Sequence, residues 1–481
     1  MSINIYALTD SHQESRNLST LLSGIYNFEK DLTNPFLVLD CGDLFKGIYD
    51  KDLSVNAYIE LKKLLPQSEI VLTLGNNDFG FYQPDFEYLK ETIEKFCQAG
   101  IHFVCGNLFD QKTNEPSNLV PRYRIINFPN DKRILVTGFC VNTACANKFG
   151  YKLIPPIDCI ESVIKSVKEP YDKIIVLNHH WYPYSKELKE FAKSKNINID
   201  LIIGGHEHSP IKPDFENKIF YPFSFARSLY KMTLGEDFEN IKEIPVDKFE
   251  MISEFEKPII EYENKTHLKE KIADRVLDLV KCYSDFCPLG TFISDNMKRL
   301  GQTDIAFHST GYTMAPLKIE DSKIITNYDI KRVICAETTI EKIEITVEQL
   351  KRVFENATKN RMLRNQGNSR FIQCSQNVTV TGRGNEKDDT YKILQIEING
   401  EKLLDDNSNP IDPQRKFTAT IDPYIGRGEQ GFEVLKNLPK TKVLINGAEV
   451  KINDLFSQSL IDVSKNPPKN SQYPSAKIID L

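Results

Sequence analysis

Gly204-Gly205-His206-Glu207-His208 follows the aliphatic run Leu201-Ile202-Ile203. Such a run reads as a buried strand, so the two imidazoles emerge on the tight loop where a sheet stops. Paired glycines let backbone approach and turn where a side chain would clash, which suits a loop that bears a metal. Taken alone, the five residues also read as a polar loop that happens to carry histidines. The chain has eight histidines in all, and five of them fall where the same chemistry would need them.

Working outward, other short apolar runs end in the same kinds of residue. Residues 3–8 stop at Thr9-Asp10-Ser11-His12, and residues 35–39 stop at Asp40-Cys41-Gly42-Asp43. Residues 70–74 lead to Gly75-Asn76-Asn77-Asp78, residues 102–104 lead to Gly106-Asn107, and residues 173–177 deliver Asn178-His179-His180-Trp181. A further strand is expected at 134–137, with amphipathic helices near 85–98, 160–168 and 186–194. This is an α/β alternation in which each candidate ligand follows a strand's C-terminal end, where such sheets place their sites.

Residues 219–234 read as a closing hairpin, and 249–283 as a charged, helix-leaning linker. The expected domains are therefore 1–248, the linker 249–283 and a second domain 284–481. In the last, helices at 289–300 and 347–358 alternate with β-rich segments at 377–380 and 393–398. The Pro-, Asn- and Ser-rich tail 467–477 is expected to be no more than an ordered arm.

At 481 residues the chain is too long for one ordinary core. Its 40% hydrophobic and 27% charged residues are those of a soluble globular protein. A net charge of -6 argues against duplex nucleic acid as a main partner and weakens a nuclease reading. No apolar stretch reaches membrane-spanning length, and no basic n-region with an apolar core opens the chain. Ten scattered cysteines without a C-x-x-C pair suit reduced thiols. The expected compartment is cytoplasmic, although leaderless export would leave the same sequence.

The strand-end residues Asp10, His12, Asp43, Asn76, His179 or His180, His206 and His208 mix imidazoles, carboxylates and one carboxamide. That set suits divalent Mn, Fe, Co, Ni or Zn and lacks the thiolates of a structural zinc site. Seven ligands are too many for one ion but suit two, if a carboxylate bridges them. Two cations roughly 3.5–4 Å apart polarise a phosphoryl oxygen and lower the pKa of a bridging water, giving hydroxide for in-line attack.

The ordered series D-x-H, G-D-x-x-x-G, G-N-x-D, H, G-H-x-H across residues 10–208 resembles the calcineurin-like metallophosphoesterase superfamily. The resemblance implies an N-terminal double-sheet αββα sandwich. Asp10, His12, Asp43 and His208 would hold one metal, and Asp43, Asn76, His179 and His206 the other. His179 is preferred over His180 because it comes first after the strand. In the second half, Pro288-Leu289-Gly290 with its helix and Thr303-Asp304-Ile305-Ala306-Phe307 are similar to the start of the C-terminal domain of 5′-nucleotidases. Residues 371–375 resemble that domain's central strand, and 426–432 its late glycine-rich loop. The resemblance implies a C-terminal α+β domain that supplies a nucleotide pocket. The implied activity is hydrolysis of a nucleotide or related small phosphate ester, with no covalent enzyme intermediate and no membrane partner. Oligomeric state is left open.

Two departures qualify that expectation. Asn77 stands where the family's G-N-H-[DE] motif has histidine, the residue implied, with the acidic Asp78, to help protonate the leaving oxygen. Asparagine donates a hydrogen bond but delivers no proton, so general-acid help worth roughly 10²–10⁴-fold would be lost. That favours diesters or activated phosphates, or a metal-binding scaffold or sensor without catalysis. Secondly, residues 308–315 lack the family's phosphate-gripping arginine, and Ile334-Cys335-Ala336-Glu337 replaces its base-orienting Pro-Phe-Gly-Asn. Stacking worth about 1–3 kcal/mol would then come from elsewhere. Phe371, Tyr424 and Phe432 are the candidates, with Arg427 for phosphate; ordinary core packing and a solvated loop arginine are the competing readings. Trp181 and Tyr312 are further candidates to line a cleft, against the same alternative of packing.

Overall fold

Alternate residues of the strands serve two different cores. Along the first strand Ile3, Ile5 and Ala7 join one apolar cluster while Tyr6 and Leu8 join another, and the second strand separates Leu37 and Leu39 from Phe36 and Val38 in the same way. A strand buried on both faces reads in sequence as an unbroken apolar run. The computed structural model describes residues 2–80, 83–129, 131–282, 284–334, 338–359, 371–385 and 390–480. They fall into two compact units, Met1–Thr266 and His267–Leu481.

The first unit begins β1 (Ile3–Leu8), α1 (Ser15–Glu29), β2 (Phe36–Asp40), α2 (Lys51–Leu64), β3 (Ser68–Thr73), α3 (Gln83–Gln98) and β4 (Ile101–Val104). It continues with β5 (Leu108–Asp110), β6 (Tyr123–Asn127), β7 (Arg133–Cys140), α4 (Ala144–Lys148), β8 (Tyr151–Leu153), α5 (Pro156–Ser166) and β9 (Lys173–His179). It closes with α6 (Tyr182–Ser194), β10 (Leu201–Gly205), β11 (Ile219–Phe220), β12 (Ser228–Leu234), β13 (Phe238–Pro245) and α7 (Ser253–Lys265).

Among the described residues, one sheet has the order β13-β12-β1-β2-β3-β4 and the other β11-β10-β9-β7-β6, with β5 and β8 as a separate pair. Strands β1 to β4 run parallel, as do β7, β9, β10 and β11. The sheets meet through Ile5, Leu39 and Val71 on one side and Val136, Ile175 and Ile203 on the other. Leu18, Tyr58 and Leu89 bring α1, α2 and α3 against the outer face of the first sheet, and Ile160 and Leu188 bring α5 and α6 against that of the second. This is the αββα sandwich expected.

The expected hairpin over 219–234 is corrected. β11 adds to β10 in parallel, whereas β12 crosses to the other sheet and pairs antiparallel with β1. The hairpin is β12 with β13. Both strands of the apolar stretch are buried, so nothing in their composition marks the change of sheet.

The expected linker is divided between the units. Phe255 and Ile259 of α7 are buried, and Glu263 accepts two hydrogen bonds from the Arg16 guanidinium, at 2.8 and 2.6 Å, and one from the Tyr49 hydroxyl at 2.5 Å. Residues Lys271–Asp274 instead pair with Ile324–Thr326 inside the second unit.

Among the described residues of the second unit, a five-stranded sheet has the order Ile372–Cys374, Ile305–Ser309, Lys416–Ile421, Glu341–Thr346, Thr441–Lys442. Residues 371–375, expected to supply a central strand, therefore form an edge. A four-stranded sheet shares a core with helix Val347–Thr358, while helices Pro288–Gly301 and Ile452–Lys465 bury a second cluster. The tail 467–477 is an ordered arm, held where the Tyr473 hydroxyl donates to Asp295 at 2.8 Å, and after it Lys477–Asp480 adds a parallel strand beside Val378–Asn385.

Glu263→Ala removes three hydrogen bonds to a buried carboxylate and is expected to destabilise the first unit by about 2 kcal/mol or more. The urea midpoint of the full chain measures it, with Glu263→Gln as the milder control. Equal midpoints for wild type and Glu263→Ala would show that α7 adds no stability.

Candidate metal centre

Every candidate ligand leaves the C-terminal end of a parallel strand of the first unit: Asp10 and His12 follow β1, Asp43 follows β2, Asn76 follows β3, His179 ends β9, and His206 and His208 follow β10. Two donor sets result, Asp10, His12, Asp43 and His208 in one and Asp43, His179 and His206 in the other, with the ligand atoms of each within 4.8 Å of one another. Asp43 is common to both. Its Oδ2 is 3.6 Å from His12 Nε2 and 3.3 Å from His179 Nε2. Asp10 Oδ1 stands 3.5 Å from His208 Nε2, and Asn76 Oδ1 lies 3.2 Å from His179 Nε2 beside the second set.

Backbone geometry marks the same residues. Asp10, His12, Asp43 and His206 all have left-handed φ, at 45°, 46°, 56° and 72°. Non-glycine residues are uncommon there, and such strain persists only where the surroundings enforce it. Gly75 must lack a side chain, because a Cβ would overlap the Asp43 carboxylate.

The imidazoles are oriented from behind. His12 Nδ1 lies 3.2 Å from the Phe45 carbonyl and His179 Nδ1 lies 2.7 Å from that of Cys41. Donation from Nδ1–H fixes the tautomer that presents an Nε2 lone pair to the site, as metal-ligating histidines require. His12 and His208 face each other through Nε2 at 3.0 Å. Burial pushes His12 down to about 4 and His206 to about 3, so both stay neutral. Burial also lowers His179, but the Asp43 and Asp10 carboxylates outweigh it and raise it to about 10. Burial would raise Asp43 as well, yet the facing imidazoles hold it well below the usual carboxylate range. Buried carboxylates with the neutral imidazoles of His12 and His206 make a pocket that fits divalent cations, and His179, held protonated by Asp43 while no ion is present, would give up that proton to a cation.

His180 stays outside both sets. It is buried, its Nδ1 accepts the Trp181 backbone N–H at 3.1 Å, and burial lowers it to about 4. Asn77 donates from Nδ2 to Asp43 Oδ2 at 2.5 Å and from its backbone N–H to Oδ1 at 2.8 Å, while its own Oδ1 accepts from Lys46 at 3.2 Å. Asp78, expected beside the leaving group, takes a positioning role. It is 2% exposed and accepts backbone N–H bonds from Asp43, Phe45 and Gly75 at 3.0, 3.1 and 2.7 Å, clamping the β2 and β3 loops together.

Phe225 had no signal in the sequence. Its φ is +64°, and its ring packs against His12 and His208 with centroids at 5.3 and 5.1 Å.

The candidates in the second unit divide. Phe371 and Phe432 are 1% and 0% exposed within its core, so neither offers a free face to a base. Arg427 is exposed, 6.0 Å from the ring of half-buried Tyr424, and lines a hollow of about 600 Å³ with Glu341, Lys436, Lys440 and Lys442. Tyr312 meets Tyr424 edge to face at 6.3 Å. His308 is buried against Ser294 at 3.0 Å, and Ile334 is buried; residues 335–337 of the replaced base-orienting stretch lie outside the described residues.

Fold and site together define a metallophosphoesterase. Residues 3–210 match the family model of the calcineurin-like phosphoesterases, and residues 265–437 match that of the 5′-nucleotidase C-terminal domain. The chain belongs to the metallophosphoesterases that carry this C-terminal domain. It is 23% identical to an apyrase of Aedes aegypti, over 86% of this chain and 80% of the apyrase. A 5′-nucleotidase precursor from Thermus thermophilus shares its fold at a TM-score of 0.74 and 15% identity, covering 100% of this chain and 99% of the other. A sulfate thiohydrolase from Thermus thermophilus shares it at 0.69 and 16% identity, covering 96% and 82%.

Asp43→Asn is expected to lose most bound metal, and His179→Ala to lose far more than His180→Ala. Elemental analysis of the purified, manganese-loaded variants reads this directly. Equal retention by the two histidine variants would break the assignment.

Proposed function

We propose that the chain hydrolyses a small phosphate ester of the nucleotide class at two divalent cations. Asp10, His12, Asp43 and His208 would hold one, and Asp43, Asn76, His179 and His206 the other; Mn, Fe, Co, Ni and Zn all suit this donor set. The observation that carries the reading is the single carboxylate shared by two converging donor sets. When bound, the cations supply positive charge to the phosphoryl oxygens and acidity to water. The chain's own residues do the rest. Phe45 and Cys41 carbonyls aim the imidazoles, and Asp78 holds the two loops at fixed spacing. Asn77 keeps both Asp43 oxygens in place.

A second reading, a phosphodiesterase with weak monoesterase activity, is favoured by the carboxamide of Asn77, which has no proton to release to an alkoxide. The reading further proposes the cytoplasm, supported by ten scattered cysteines without a C-x-x-C pair, of which Cys41, Cys105 and Cys140 are buried.

A screen of phosphate esters on manganese-loaded protein tests the proposal. Turnover that disappears with chelation and in Asp43→Asn supports hydrolysis, whereas bound metal with no turnover would leave a scaffold or sensor. Bis-p-nitrophenyl phosphate outpacing adenosine monophosphate would favour the diesterase reading. Asn77→His is expected to raise adenosine monophosphate turnover by roughly 10²-fold, provided metal content is unchanged.

A further inference from the structure

Trp181 and Tyr184 sit beside the metal centre, and nothing in the chemistry above uses them. Trp181 directly precedes α6 and Tyr184 lies in its first turn. The Trp181 ring meets that of the ligand His206 edge to face, with centroids 4.4 Å apart. Tyr184 packs on buried His180 at 4.2 Å and on Trp181 at 6.1 Å. Both aromatics still reach solvent: Trp181 is half-buried, and Tyr184 is 45% exposed.

Four rings thus run in contact from a metal ligand out to the surface, all within the first unit. Phe220 and Tyr230 of the same unit are enclosed, at 0% and 1% exposure. Here the series ends in open rings at the rim of the donor cluster. An ester whose phosphoryl group lies among the ligands must direct its leaving group away from them, and on the His206 side it meets these rings. The opposite donor set is walled by Phe225.

We propose that Trp181 and Tyr184 form a stacking platform for the planar ring of the substrate's leaving group. The shared chemistry is an aromatic ring, carried either directly on the ester oxygen or, as a nucleobase, through a ribose. This rests on the hydrolase reading for the position of the phosphoryl group, and it assigns ring recognition to the catalytic unit itself. It accounts for a second unit whose Phe371 and Phe432 are enclosed. A flat ring stacked on indole or phenol gains affinity largely independent of which ring it is.

The chain contains one tryptophan, so fluorescence excited at the red edge beyond tyrosine absorption reports Trp181 alone. Adenosine, which the enzyme cannot hydrolyse, is expected to quench that signal in the manganese-loaded full-length protein, and ribose is not. In Trp181→Leu and, separately, in the surface variant Tyr184→Ala, the KM for p-nitrophenyl phosphate relative to that for ribose 5-phosphate should rise about tenfold. The same ratio for adenosine monophosphate distinguishes the sources. A shift for the aryl ester alone assigns the platform to a ring on the ester oxygen, and a shift for both extends it to a nucleobase. No quenching by adenosine, with both ratios unchanged in both variants, would overturn the platform. If no ester is turned over at all, the hydrolase reading falls and the fluorescence titration alone decides: quenching by adenosine and not by ribose keeps the platform, and its absence overturns it.

Discussion

The rest of the first unit depends on one constraint: carboxylates and imidazoles must converge in a place from which water is excluded. Asp10 and Asp43 are 0% exposed, and His12 and His179 are 1% and 0% exposed. Gathering such groups is costly unless each is hydrogen-bonded or offset by opposite charge. The protein meets part of that cost from behind, with the Cys41 and Phe45 carbonyls, the Thr9 hydroxyl on Asp10 at 2.6 Å, and the His206 backbone N–H on the same carboxylate at 2.9–3.0 Å. What stays unmet faces inward, where a cation fits.

The two sheets make that arrangement possible. Parallel strands end at the same edge, so loops far apart in sequence arrive together: Gly205 pairs with His179, and Asp40 pairs with both Leu8 and Leu72. Left-handed backbone at Asp10, His12, Asp43 and His206 turns the chain sharply in the loops after β1, β2 and β10. Two apolar clusters on every central strand keep the sheets from shifting and so carry the strain at their tips.

The sandwich was legible because unbroken apolar runs mark strands buried on two faces, and the convergence of the strand-end histidines and carboxylates was legible because parallel strands deliver their C-terminal loops to one edge. The choice of His179 over His180 followed from position alone. The structure separates them by direction, since His180 turns toward the Trp181 backbone and Tyr184. Long-range facts were not legible. Nothing local reveals that β12 changes sheets, that Glu263 binds Arg16, or that a strand follows the tail. Nor does the sequence show that Phe371 and Phe432 are enclosed while Tyr424 is not, because a core ring and a stacking ring have the same composition. Asp78 is a related case: a carboxylate near a metal motif suggests chemistry, and its three backbone partners show in addition a clamp between the loops.

Asn77 shows how a motif position can be divided into its functions. A neutral imidazole there has one nitrogen to accept and one N–H to donate. The carboxamide reproduces that pair, accepting from Lys46 at 3.2 Å and donating to Asp43 at 2.5 Å, so the bridging carboxylate keeps its orientation. It omits only the third capacity of imidazole, a proton released near neutral pH. On the proposed reading the substitution preserves the cage and changes the demand on the substrate, whose leaving group would depart with little protonic help from this position. Delocalised aryl leaving groups meet that demand best, because the departing charge spreads over the ring. That is the same planar chemistry that the proposed platform of Trp181 and Tyr184 would receive.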